Sequence, residues 1–288
     1  MSLKFSPAVE AMEAGQSGNF SALRIDLKSL GPFITPVMGF DLYRMSGPTF
    51  APHPHAGFSA VSYVFEDSRG GLRNRDSLGN DLVVEPGDLL WTQAGRGVIH
   101  DEFPANNGAT VHGLQLFVNL KSKLKGLPPQ MFYASAGAIP VAKNEVGNRI
   151  RVLSGQLGDL RSPISPAEPF DFFDARLQKT WKYAIRGGWN AMVFVLSGSV
   201  ALDGRTISER QALGVQSDGN GDELLIEPTP GAHILLLSGR DPKEPVAAYG
   251  PFIMNTEAEI AHAYERYRAG EMGSIGPARK EALKKRIL

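Results

Sequence analysis

Five short runs of branched, aromatic and aliphatic residues, with glycine-, proline- or aspartate-bearing stretches between or beside them, set the terms on which this chain can fold. They are AVSYVF (60–65), DLVVEPGDLLWTQ (81–93), TVHGLQLFVNL (110–120), AMVFVLSGSVAL (191–202) and HILLLSG (233–239). SLGND, EPGD, LSGS and LDGR lie between or beside them. Branched and aromatic side chains pack well on a pleated surface, and Gly, Pro, Asn and Asp supply turn geometry, so these runs are strands. With 32 glycines and 20 prolines in 288 residues, the chain favours many short strands over long helices. Strands at such spacing build sandwiches or barrels, and the expected class is all-β.

The two halves can be laid over one another. SAVSYVFEDS (59–68) matches NAMVFVLSGS (190–199) at an offset of 131 residues, which puts Tyr63 on Phe194. The same offset sets Ala184 and Arg186 where the first half has His53 and His55. KSKLKGLPPQMFYASAGAIPV (121–141) bridges the halves, giving units at 1–135 and 136–288. The one good helix falls at about 256–269. Thr256 followed by Glu259 is a capping-box pattern, and Ile260, Tyr264 and Tyr267 recur on one face. Gly270 and Gly273 stop it, and its aromatic stripe is expected to pack on a barrel wall.

Charge and cysteine content exclude several classes of function. Thirty basic residues balance thirty acidic ones. The basic run RKEALKKRIL (279–288) reads as a solvated helix end, so direct nucleic-acid binding is not expected. The absence of cysteine rules out disulfides, Cys-ligated zinc and a thiol nucleophile. MSLKFSPAVEAMEAG shows no apolar leader core, and no run reaches the length of a membrane span. The expectation is a cytoplasmic protein without a membrane partner.

Chemistry concentrates in two dyads, His53 and His55 in HPH and His100 and Glu102 in HDE. Alternate residues of a strand share a face about 6.6 Å apart. Each dyad can therefore reach a single point. Two dyads facing each other inside a barrel would make a pocket of three imidazoles and one carboxylate, suited to Fe(II), Mn, Ni, Cu or Zn. Histidines also sit on surfaces or pair with backbone, and spacing alone leaves both readings open. His112 lies on the apolar face of its strand with Leu114, Leu116 and Val118, and reads as a core or rim residue. Gln115, on the opposite face, is a candidate pocket donor. His233 reads as structural and His262 as exposed.

The blocks HPHAGF, RDSLGN, EPGDLLWTQAGRGVIHDE, LQLFVNL and EPVAAYGPFIMNT, in order between residues 53 and 256, resemble the signature of the pirin family within the cupin superfamily. The resemblance implies two cupin barrels in tandem with a C-terminal helix, and one metal, usually iron, in the first barrel. It carries the ligand roles onto His53, His55, His100 and Glu102, and leaves the second barrel without ligands. It also implies two functions. One is oxygenase activity of the quercetin 2,3-dioxygenase type on a flavonol-like aromatic with O2, in which Glu102 would be both ligand and proton acceptor. The other is a metal-dependent regulatory module that binds a transcription factor or enzyme. One departure stands out: the family writes Glu-Thr where this chain has Ser59-Ala60. Counted by alternation from His53 and His55, Ser59 is expected to face the pocket.

Overall fold

The computed structural model describes residues 3–217 and 220–276, so the basic run at 279–288 lies outside the described residues. Two units repeat one plan, a large antiparallel sheet backed by a four-stranded sheet. In the first unit the large sheet runs Gln130–Ala134, Leu89–Gln93, Phe58–Val64, Val111–Asn119, Val37–Met45, Phe20–Arg24, Met12–Ser17. Its small sheet runs His53–His55, Val98–Pro104, Leu72–Asp76, Asp81–Val84. The second unit's central strands are Gln211–Gln216, Trp189–Ser197, Ala232–Arg240 and Phe170–Leu177, and its small sheet runs Trp181–Ile185, Asp222–Pro228, Ser199–Leu202, Arg205–Ser208. The start of the chain crosses between units: Lys4–Phe5 and Val9–Glu10 pair with Gln211–Gln216 of the second sheet.

Strand alternation divides the apolar residues between two destinations. Val61 and Tyr63 from the first large sheet meet Phe172, Met192, Phe194, Leu235 and Leu237 from the second, making a shared core in the seam between units. The other face of Trp189–Ser197 sends Ala191, Val193 and Val195 into the second barrel. One buried polar chain ties the seam. Tyr63 Oη donates to Asp174 Oδ2 (2.5 Å) and accepts from Arg151 Nη1 (2.6 Å), while Arg151 Nη2 donates to the Gly87 carbonyl (2.6 Å). Each of these buried polar groups has a partner, which such a network requires if it is not to cost stability.

The repeat offset needs one correction. It holds at 131 for the central strands, where Phe58 and Trp189 begin equivalent elements. The preceding strand ends at His55 in one unit and Ile185 in the other, an offset of 130. Two residues connect the strands in the first unit and three in the second. That extra residue shifts the register, so Tyr183 and Ile185 occupy the histidine positions, not Ala184 and Arg186. Tyr183 and Ile185 are buried in the second barrel's apolar core, with Leu224 opposite Tyr183 as His100 is opposite His53. A one-residue slip sends every side chain to the other face. The second barrel holds a phenol, bonded to Asp171, and an aliphatic side chain where the first holds imidazoles.

After the second barrel the chain returns to the first. The hairpin Ala247–Tyr249 and Phe252–Met254 leads into the helix Glu257–Arg268, whose first turn carries the full Thr256–Glu259 capping box. Ile260 and Ala263, with Tyr264 and Tyr267, pack on Phe252, Met254 and Ala56, beside His55. Lys125 locks this return. Its ammonium donates to the carbonyls of Gly57 (2.7 Å) and Ile253 (2.9 Å) and to Asn119 Oδ1 (2.6 Å). Gly57 has φ +86, and a Cβ there would sit 1.9 Å from the Ile253 carbonyl, so the close approach needs glycine.

Candidate metal centre

His53 and His55 project from one edge strand and His100 from its antiparallel neighbour, directly opposite His53. The three rings stand 4.7–4.9 Å apart between centroids. One nitrogen from each lies within 4.8 Å of the others. Nitrogens bound about 2.1 Å from one ion are at most about 4.2 Å apart, so the triplet stands near ligation distance.

Hydrogen bonding orients two of the rings. His53 Nδ1 faces the Ala51 carbonyl at 2.9 Å and His100 Nδ1 faces Asn74 Oδ1 at 3.1 Å. Both partners are acceptors, so each Nδ1 carries the proton and each Nε2 keeps its lone pair. His100 Nε2 is buried without a hydrogen-bond partner among the described residues. A buried imidazole nitrogen with an unused lone pair is available to ligate a metal ion. Burial pushes His55 down to about 3, with His53 adding to the effect and the Pro251 carbonyl opposing it. Burial also holds His100 well below its ordinary value, helped by His55 and His53. These two imidazoles are neutral at physiological pH, the form that binds metal.

Glu102 shares the face of His100 but stands outside the three-histidine cluster. Its Oε1 accepts from Ser62 Oγ at 2.5 Å, and Ser62 also bonds Gln115 Oε1 at 3.2 Å. Burial raises the Glu102 carboxyl to about 7, Ser62 opposing and Asp101 adding. The expected pocket donor Gln115 therefore lies in this barrel, one hydroxyl from Glu102, with its Nε2 buried and unpaired among the described residues. Tyr43 Oη and Asn74 Nδ2 are likewise buried without partners there. Polar donors left over beside a three-imidazole cluster mark an interior built to receive a polar guest or ordered water.

Ser59 does not face this interior. Its register partners are Gln93 and Val118, and Val118 belongs to the seam core. Residues directly opposite in a sheet share a face, so Ser59 points between the two units. Alternation counted from His55 fails because the chain leaves the small sheet at Ala56–Gly57 and enters the large one at Phe58. Phe58, Ala60 and Ser62 are the residues turned inward. A carboxylate at position 59 would thus lie in the seam and not at the metal. Ser59→Glu is expected to lower the unfolding midpoint, because a fully buried charge without a partner costs several kcal/mol. It is expected to leave any metal-dependent turnover without a gain, which a parallel oxygen-uptake assay checks.

Four contributors escape a reading of the sequence. Ser62 and Asn74 support Glu102 and His100, and Phe58 and Phe117 stand 5.1 and 5.6 Å from His55. Phe58, Ser62 and Phe117 carry a legible signal, the alternation of their own strands. The remaining histidines fall outside the cluster. His112 bonds Asp67 (2.7 Å), His233 bonds Asp174 (2.5 Å), and His262 is exposed on the tail helix.

Comparison with known proteins agrees with this architecture. A family model described as Pirin matches residues 19–118, and one described as Pirin C-terminal cupin domain matches residues 172–273. Pirin of Homo sapiens is 33% identical over 256 residues, covering 87% of this chain and 86% of the human protein. A crystal structure of quercetin 2,3-dioxygenase from Acinetobacter baumannii superposes with a TM-score of 0.83 at 27% identity, covering 95% of this chain and 99% of that one. A bacterial pirin from Escherichia coli, solved in complex with nickel(II), shares the fold with a TM-score of 0.63 at 20% identity, covering 83% of this chain and 99% of that one. No helix among the described residues is long and apolar enough to cross a membrane. With both family models matched in order and a pirin 33% identical over 87% of its length, this chain belongs to the pirin family.

Proposed function

We propose that this protein is an iron-dependent oxygenase of the quercetin 2,3-dioxygenase type, acting on flavonol-like aromatics with O2. The observation that carries the reading is the convergence of three imidazoles, two of them held neutral by burial, with the buried Glu102 two residues along the same strand from His100. When bound, a transition ion would acidify a hydroxyl on the substrate and give its electrons a path to oxygen. His53, His55 and His100 would hold the ion, with Ala51 and Asn74 fixing two of the rings. Glu102 would complete the set and accept the substrate's proton, with Ser62 keeping its carboxylate in place. Phe58 and Phe117, packed on each other beside His55, close this side of the site against water. The likeness to the Acinetobacter quercetin 2,3-dioxygenase over nearly the whole chain supports this choice of activity over other cupin chemistry.

An oxygen electrode tests it directly. Iron-loaded protein is expected to consume O2 when quercetin is added, and chelation of the iron or His55→Ala is expected to abolish the uptake. No uptake across a panel of flavonols, with full iron content verified, would sink the oxygenase reading in favour of a metal-dependent regulatory module.

A further inference from the structure

Away from the metal centre, the seam between the two large sheets opens at one end into a cleft of about 680 Å3. That volume falls within the range of small-molecule sites. Its construction follows the internal duplication. In the first sheet Arg44 pairs in register with His112, and in the second Arg176 pairs with His233. All four line the same cleft. They share strand faces with Leu42, Leu114, Phe172 and Leu235, so the apolar seam ends in two duplicated Arg–His pairs.

The charges in this cleft are unevenly satisfied. His112 is paired with Asp67, His233 with Asp174, and Glu66 with Arg149. Asp174 is further occupied by Tyr63. Neither Arg44 nor Arg176 forms an ion pair or side-chain hydrogen bond among the described residues, and Arg210 Nε is buried without a partner there. The exposed Glu13 and Glu209 also line the cleft, and Glu13 accepts from Gln16. Internal pairing therefore engages Glu66, Asp67 and Asp174, and leaves Arg44 and Arg176, like the rim carboxylates Glu13 and Glu209, without ion pairs among the described residues. Behind them Phe65, Phe194 and Leu196 provide an apolar floor.

We propose that this cleft is a second ligand site, for an amphipathic organic anion whose acidic head sits between Arg44 and Arg176. The planar guanidinium fork matches an oxyanion with two parallel hydrogen bonds, which an ammonium does not offer. The apolar body of the ligand lies against Phe65, Phe194 and Leu196. The site is separate from the histidine cluster and stands whether or not the chain is an oxygenase.

The test uses 8-anilinonaphthalene-1-sulfonate, a fluorescent aromatic anion, with its uncharged relative N-phenyl-1-naphthylamine as the comparison. The full-length protein is expected to bind the anion saturably at one site, with affinity falling as salt rises. The double variant Arg44→Gln/Arg176→Gln, altered at two exposed side chains and checked for an unchanged melting temperature, is expected to bind about tenfold or more weakly. His55→Ala is expected to bind as the parent does, and the uncharged dye about tenfold more weakly than the anion. Equal binding by the Arg variant, equal binding of the uncharged dye, or loss of binding in His55→Ala would each overturn the proposal. The last outcome would place the dye in the metal-bearing barrel.

Discussion

His55→Ala is expected to leave the protein without a tightly held transition metal. The His55 ring is 5% exposed, shielded by Phe58 and Phe117 and closed over by the returning C-terminal segment at Phe252. No other imidazole is poised to replace it, since His112 and His233 are engaged in the seam and His262 is on the tail helix. Altering only an outer hydrogen-bond partner of a metal-bound histidine costs roughly 10–100-fold in affinity, and removing the ligand itself is expected to cost at least about 100-fold. Elemental analysis after dialysis against a weak chelator reads the loss. His262→Ala, a change at a side chain 70% exposed, is the matched control and is expected to retain full metal content. Unchanged metal content in His55→Ala would mean that the cluster does not hold the ion.

Lys125→Met is expected to lower stability by about 3 kcal/mol or more, since each buried acceptor left without a donor costs roughly 1–3 kcal/mol. The side chain reaches three acceptors, Gly57, Ile253 and Asn119, and methionine would leave all of them buried and unmet. Two of those acceptors belong to segments far apart in the chain. Gly57 follows the histidine strand and Ile253 lies in the hairpin that returns from the second barrel. The variant should therefore show a lower urea midpoint and faster proteolysis of the segment after residue 245. Lys125→Arg should not restore stability, because a planar fork does not present three hydrogens to three converging carbonyl-type acceptors. A change below about 1 kcal/mol would show that the clamp is dispensable, given the spread of ordinary surface substitutions.

Local pattern serves some residues of this chain far better than others. The three histidines of the cluster are legible because alternation holds within a single strand, and His53–His55 and Val98–Pro104 are each uninterrupted. The tail helix is legible from its cap, since the Thr256–Glu259 exchange is a local contact. Ser59 is misplaced by alternation because the count crosses Gly57, where the backbone turns with positive φ and passes into another sheet. The repeat is out by one residue for a related reason, a connection of two residues in one unit and three in the other.

Composition, strand periodicity and turn chemistry alone determined an all-β chain in two similar halves, with its ligand candidates in the first. These are properties of residues near one another along the backbone, where sterics and side-chain direction act over a few positions. Tertiary structure alone decided that Ser62 rather than Ser59 supports Glu102, that Lys4–Phe5 and Val9–Glu10 join the second sheet, and that Lys125 ties the C-terminal hairpin over the histidine strand. It also brought Arg44 and Arg176 to one cleft. Those outcomes depend on which sheet faces pack together, a global free-energy choice that no local pattern encodes.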